Sequence, residues 1–372
     1  MYKANLFEQL RFLGVSLMEI KVLHILYKVD IGGTEKAVLN YIREHQDKGI
    51  VNDTCSLYKG RLSNEYEKYS NKHINIQTSN LLKSYFKLKK HINKEKYDII
   101  YTYGFRVNLL LRFMPKNFKL IYGIRGLETN VSNFTYYLNK LTLKRNDLLI
   151  TNSELSKNSI QKKYKLKENK TITIHNGTYI PNEGRKYEYR NELNLIIIAN
   201  LNKVKGFDYL LPAIKKIKKS GISINLKILG EGPERSNIES YINRNDLEKN
   251  IQLYGQVKNV YKYLSESDIL ISASLSEGLS NAIMEGMAYG LPIIATEVGG
   301  SPELVIPQKS GVLIPPQNTE ALVKSIKFYN NHPALIKKHG LYGRKLMKTN
   351  FSFEKLVNEN NKTFRALSNN RF

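Results

Sequence analysis

The stretch DILISASLSEGLSNAIMEGMAYGLPIIAT (268–296) decides the fold. DILISA (268–273) is a short, continuously apolar run of the kind expected for a strand buried on both faces. LSEGLS turns the chain, Ser280 stands at an N-cap position, and NAIMEGMAYG reads as a helix closed by Gly290. PIIAT (292–296) is a second buried strand. Strand, helix and strand in such a short span form a crossover unit, which lays the two strands parallel in one sheet.

The same alternation extends in both directions. In the first half, strands are predicted at IKVLHIL (20–26), YDIIYTY (97–103), KLIYGI (119–124), DLLITN (147–152) and TITIH (171–175). In the second half they fall at LNLIIIA (193–199), SINLKIL (223–229), NIQLYG (250–255), DILISA, PIIAT and GVLIP (311–315). Most are continuously apolar and most are separated by helical stretches, so the fold class is α/β with parallel sheets covered on both faces. The pattern pauses at NGTYIPNEGRKYEYRNE (176–192), where Pro, Gly, Asn and charge accumulate. Two doubly wound domains result, and the cleft between them is the expected site.

Composition narrows the function. The chain has 372 residues and a net charge of +25, from 58 basic and 33 acidic side chains. Such an excess draws polyanions: nucleic acid, acidic membrane or phosphorylated ligands. No zinc-finger spacing or aromatic–glycine motif of the RNA-binding type occurs, so nucleic acid is not expected as a partner. Cys55 is the only cysteine and cannot form an internal disulfide, which fits a reducing compartment. The start lacks a signal-peptide core, and no apolar run reaches the roughly 18 residues of a membrane span. A cytoplasmic location is expected.

Four loops at strand ends carry candidate chemistry. Gly32-Gly33 follows the first strand and opens a helix near Thr34, where amides can approach an anion, although a bare Gly-Gly is as often only a turn. Lys205-Gly206 follows the first strand of the second domain. On position alone Lys205 is equally readable as a diphosphate ligand and as a solvated lysine. In LGEGPER (229–235) Pro233 is expected at a first helical position, and Glu231 reads as part of a connector. The fourth loop holds Glu277 at a strand end and Glu285 in the second turn of the next helix. Carboxylates accept hydrogen bonds from vicinal hydroxyls, while the free amides around Gly278 to Asn281 favour negative charge. Solvated acids are the plainer reading; the glycine turn at a strand end argues for a site.

With GGTE (32–35), NSELSKN (152–158), IHNGT (174–178), KGFDYLL (205–211), LGEGPER, the long segment SASLSEGLSNAIMEGMAYGLPIIATEVGGSPELV (272–305), GVLIPP (311–316) and FSFEKLVNENNKTF (351–364), the chain resembles the family-4 retaining glycosyltransferases, also called glycosyl transferases group 1. The Glu-x7-Glu spacing, MAYGLP and GG-SPE in order are the specific part; residues before Met18 and around 55–95 find no counterpart. The resemblance implies a GT-B fold of two facing Rossmann-like domains. The expected organisation is an N-terminal extension (1–17), an acceptor-side domain (18–178), a linker (179–192), a nucleotide-sugar-binding domain (193–350) and a C-terminal helix (351–372) packing back towards the first domain. Met18 is an alternative start.

The resemblance also implies roles. Glu285 holds the ribose of a nucleotide sugar, and Glu277 contacts the hexose beside the Gly278 and Leu279 amides. Lys205 and the amides near Ser280 neutralise the diphosphate, Gly33 lets the first-domain loop close over it, and the turn with Gln256 and Val257 meets the base. UDP is the expected nucleotide, with no metal and no other cofactor; the chain has no Asp-x-Asp pair. Asn200 stands where the family commonly carries arginine, so either Lys203 or Arg125 compensates or donor binding is weaker. Arg125 also stands where a first-domain histidine is common, and is equally readable as half of a structural ion pair.

The implied acceptor is a growing glycan on a membrane lipid, as in bacterial capsule, O-antigen or exopolysaccharide assembly, with peripheral contact to acidic membrane. In LLKSYFKLKKHINKEK (81–96), Leu81, Leu82, Tyr85, Phe86, Leu88 and Ile92 lie near helical spacing among lysines. This helix can lie on acidic lipid, but packing of its apolar stripe on the sheet is the preferred reading. The extension, with Leu6, Phe7, Leu10 and Leu13, is a second candidate. Two rival functions stand beside this one. A sugar-nucleotide epimerase would release isomerised donor without acceptor, and a non-catalytic polyanion-binding protein would not need Glu285.

Overall fold

The structure is a computed structural model that describes residues 19–78, 80–126, 132–187 and 191–369. The extension and the alternative start at Met18 lie outside the described residues.

The first sheet comprises β1 (Ile20–Lys28), β2 (Ile50–Tyr58), β3 (Lys72–Asn75), β4 (Ile99–Tyr103), β5 (Lys119–Ile124), β6 (Leu148–Thr151) and β7 (Thr171–Thr173). Its order is β3-β2-β1-β4-β5-β6-β7, parallel throughout. The second comprises β8 (Leu193–Ile198), β9 (Ile224–Leu229), β10 (Ile251–Gly255), β11 (Ile269–Ser272), β12 (Ile293–Thr296) and β13 (Gly311–Ile314), in the order β10-β9-β8-β11-β12-β13, again parallel. Strand order reverses between β1 and β4 in one sheet and between β8 and β11 in the other. Ligands of open α/β sheets bind at such switch points, beyond the carboxyl ends of the strands. The loops after β1, β8 and β11 are those that carry Gly33, Lys205 and Glu277.

Each sheet is apolar on both faces. Along β1, Ile20, Val22 and Leu26 join one core while Leu23 and Ile25 join the other, the period of two expected of a strand. The continuously apolar runs are thus explained by helices on both sides, each fully buried aliphatic side chain contributing roughly 1.5–3 kcal/mol. The C-terminal helix Phe353–Ser368 buries Leu356, Val357, Phe364 and Leu367 against the first sheet. Arg365 pairs there with Asp47 at 2.7 Å. The helix before it, Ala334–Asn350, packs in the second domain, where Met347 shares a core with Met287.

Three local expectations are corrected. Strands β2 and β3 were not anticipated. In β2, Asn52, Asp53, Thr54 and Ser56 are buried, and the polar side chains find partners inside: Asp53 accepts from Asn71 at 2.7 Å and from Tyr97 at 2.8 Å. Such a strand carries no apolar run to read. Pro233 lies in the turn before the helix Arg235–Arg244, not in its first helical turn. In the helix Leu81–Glu95, Leu88 and Ile92 are buried as expected, but Leu82 and Phe86 are 69% and 60% exposed. The stripe is therefore only half used for packing; the Leu81 side chain lies outside the described residues. Among the described residues no helix is long and apolar enough to cross a membrane.

Candidate functional site

A cavity of about 450 Å³ opens between the carboxyl ends of the two sheets. All eleven candidate residues line it: Gly33 and Arg125 from the first domain, and Asn200, Lys205, Gln256, Val257, Glu277, Gly278, Leu279, Ser280 and Glu285 from the second. Lys203 is exposed and does not line it.

The Lys205 and Glu277 loops are built as one unit. Leu275 donates its amide to the Val204 carbonyl at 2.7 Å. Gly206, at φ +71°, turns the chain into the helix Phe207–Lys219 directly over the Ala273 carbonyl; a Cβ there would lie 2.0 Å from that oxygen. Lys205 Nζ is thereby aimed at Glu277 Oε1, with which it forms an ion pair. Ser274 Oγ donates to the same carboxylate oxygen at 3.0 Å. From behind, Gly299 at φ +54° packs against the Glu277 carbonyl, and the Gly300 amide donates to Gly278 O at 2.8 Å.

Ser280 occupies the N-cap position of the helix Asn281–Tyr289, but its side chain makes no capping hydrogen bond, contrary to expectation. The amides of Gly278, Leu279 and Ser280 have no acceptor among the described residues. Leu279 itself is buried in the second-domain core, so only its backbone is available to the cavity. Unsatisfied amides at a helix N-terminus attract an anion.

Glu285 is partly buried and its carboxylate makes no hydrogen bond to a described residue. Burial disfavours its charge and pushes its pKa up to about 7, against the opposing pull of Lys36. An uncommitted carboxyl group facing a polar cavity is an acceptor waiting for hydroxyl donors.

The first domain closes the cavity from the other side. Arg125 donates from Nη1 to Asn176 Oδ1, and its guanidinium lies 5.7 Å from the centre of the Tyr103 ring. Asn176 Nδ2 donates in turn to Asn281 Oδ1 at 3.3 Å, across the domain boundary. Arg125 is therefore held by an amide chain and an aromatic face, and it makes no ion pair among the described residues. The domains also approach beside it: a Cβ on Gly278 would stand 3.2 Å from the Arg125 carbonyl. Lys36, Asn152 and Asn176 also line the cavity and were not expected from the sequence, and Asn281, expected there through its backbone amide, contributes its side chain as well. Lys36 directly follows GGTE, which was the available signal; the asparagines look like ordinary loop residues until the domains are brought together.

Free amides and cations for an anion, with acids for hydroxyls, suit a phosphorylated sugar compound. Residues 180–346 match the glycosyl transferases group 1 family, and residues 31–179 match glycosyltransferase family 4. An uncharacterized glycosyltransferase of Haemophilus influenzae is 30% identical over 57% of this chain, and the match spans 60% of that protein's own length. The lipopolysaccharide core biosynthesis glycosyltransferase LpsD of Rhizobium meliloti is 23% identical over 91% of this chain and 96% of its own. Among solved structures, Anabaena HepE in complex with UDP superposes with a TM-score of 0.82 at 17% identity, covering 93% of this chain and 100% of that one. Two facing parallel-sheet domains, a shared cleft and matches to both domain families lead to one conclusion: the chain has the GT-B fold and belongs to the group 1, family 4 glycosyltransferases.

Proposed function

We propose that the chain moves a hexose or N-acetylhexosamine from a nucleotide sugar, UDP-linked, to a growing lipid-linked glycan in bacterial surface-polysaccharide assembly, with retention of configuration and without a metal. The observation that carries this reading is the meeting, in one interdomain cavity, of the Lys205–Glu277 pair, the unsatisfied amides of residues 278–280 and the uncommitted carboxyl group of Glu285. UDP is favoured because HepE was crystallised with it, and a surface glycan because LpsD is named for lipopolysaccharide core biosynthesis.

In this reading Glu285 accepts from the ribose hydroxyls, the turn at Gln256 and Val257 meets the base, and Lys205 with the loop amides faces the diphosphate. Glu277 accepts from hexose hydroxyls, and Arg125 lies on the acceptor side. The bond between the anomeric carbon and the phosphate oxygen breaks, its electron pair staying on the diphosphate. An acceptor hydroxyl forms the new bond on the same face, and its proton passes to a phosphate oxygen. Lys205 and the amides stabilise the charge that develops on the leaving group.

The exposed Leu82 and Phe86, set among the lysines of their helix, favour peripheral contact with acidic lipid at the inner face of the cytoplasmic membrane. On the same helical layer of the first domain, Phe134 and Leu141 are also exposed. The test is incubation of the purified protein with labelled UDP-sugars and bacterial lipid extract, followed by NMR of the product. Transfer into the lipid fraction with the donor's anomeric configuration supports the reading. An inverted product, or no transfer from any nucleotide sugar, overturns it.

A further inference from the structure

Among the described residues that line the cavity, three are cationic: Lys36, Arg125 and Lys205. Two of them are committed, Lys205 to Glu277 and Arg125 to Asn176. Lys36 is not. Its side chain is exposed on the helix Gly33–Glu44 and makes no ion pair or hydrogen bond among the described residues. The adjacent Glu35 does not neutralise it, because that carboxylate folds back onto the start of its own helix, where a Cβ on Gly32 would lie 2.2 Å from Oε2. The acid that feels Lys36 is Glu285, across the cavity.

The second domain is short of positive charge at the same place. The loop after β8 offers the neutral Asn200 to the cavity, and Lys203 is not among the lining residues, which leaves Lys205, already paired, as its cation there. A diphosphate carries more negative charge than one paired lysine and a few amides offset. We propose that Lys36 is the cation that contacts the diphosphate of the bound nucleotide from the first domain, so that the charge holding the donor is divided between the two domains. This rests on the nucleotide-sugar reading of the cavity. A lysine suits the task, since its ammonium is a point charge on a flexible four-carbon stem that can follow a ligand as the cleft narrows. One consequence is mechanical. A ligand gripped by Lys36 on one side and by the 278–280 amides on the other favours the arrangement in which the domains approach, so donor binding is coupled to closure.

The test is calorimetric titration. UDP, GDP and ADP are titrated into the wild type, and the diphosphate that binds is then compared with its parent nucleoside in Lys36→Ala, Lys36→Arg and the double variant Lys36→Ala/Asn200→Arg. Lys36→Ala is expected to weaken the diphosphate by about ten-fold, the effect of losing one charge-assisted contact, while leaving the nucleoside unchanged. Lys36→Arg should retain most of the affinity, and Asn200→Arg should restore much of what Lys36→Ala loses. Small-angle scattering should show the diphosphate compacting the wild type but not Lys36→Ala. Equal diphosphate binding by Lys36→Ala and wild type overturns the proposal, as does equal weakening of diphosphate and nucleoside, which would assign Lys36 to Glu285 instead. A wild type that binds none of the three diphosphates would overturn the nucleotide reading itself, a separate and recognisable outcome.

Discussion

Glu303 of the second domain pairs with His175 of the first, Nε2 to Oε2 at 2.9 Å, and its two carboxylate oxygens accept the amides of Glu154 and Leu155, both at 3.0 Å. One side chain thus caps the helix Glu154–Tyr164 of the opposite domain and bonds the histidine that precedes Asn176 of the cavity wall. Burial opposes ionisation of Glu303, but the bonds from His175 and the two amides outweigh it and hold the carboxyl below its ordinary value. Glu303→Ala should therefore destabilise the chain by about 1–2 kcal/mol above pH 5, the usual effect of a lost cap and charge-assisted bond. Because the native pKa is depressed, the carboxylate's contribution is present above 4.5 and fades as pH falls below it. Chemical denaturation of wild type and variant across that range checks the sign. A gap that widens towards low pH would contradict the latch.

Lys205→Ala should leave the fold intact and lower kcat by roughly 10²–10³, the effect of removing one preorganised group that faces developing negative charge. Glu277 retains its bond from Ser274 in the variant. Circular dichroism and steady-state transfer rates together decide this, and an active variant would remove Lys205 from the chemistry.

Two glycines should respond in opposite ways. Gly206→Ala forces a side chain into the left-handed region and against the Ala273 carbonyl, and should destabilise by about 2–4 kcal/mol while moving Lys205 off Glu277. At Gly33 the nearest atom to an added Cβ is Asn281 Nδ2, at an ordinary 3.8 Å. Gly33→Ala lies in a helix and should leave stability unchanged or raise it by up to about 1 kcal/mol. Thermal midpoints of the two variants provide the comparison.

Glu285 has the reverse pH signature from Glu303. Its native pKa of about 7 lies above the ordinary 4.5, so in the window between them the unfolded chain releases a proton that the native state keeps. Stability of the ligand-free wild type should fall through that window relative to Glu285→Gln, by up to roughly 3 kcal/mol. Denaturation of both proteins between pH 5 and pH 8 checks this; parallel curves would mean the carboxyl group is better solvated than its setting implies.

Most of the fold is legible in the sequence because its sheets are covered on both faces, which turns strands into uninterrupted apolar runs. Where burial is polar, as at Asp53 and Thr54 of β2, the signal vanishes although the strand is central to its neighbours. The second-domain half of the cavity is legible for a different reason: Lys205, Glu277 and Glu285 sit beside glycine turns at strand ends, where local sequence determines which way a side chain points. The first-domain half depends on contacts between residues far apart in the chain. Glu303 and His175 each stand in a recognisable motif, yet nothing in either motif says that they meet. Lys36 is one residue past such a motif and acquires its meaning only from Glu285 and Asn200 across the cleft.

In the proposed function this cleft holds a nucleoside diphosphate, with Glu285 as a ligand. The most direct measurement is the thermal midpoint of wild type and Glu285→Ala with UDP, GDP or ADP at matched millimolar concentration. Binding at a hundred times Kd adds roughly 2.7 kcal/mol, so one nucleotide should raise the wild-type midpoint clearly, and the rise should be lost in Glu285→Ala. An unmoved wild type with all three nucleotides, or an equal rise in the variant, would contradict the claim.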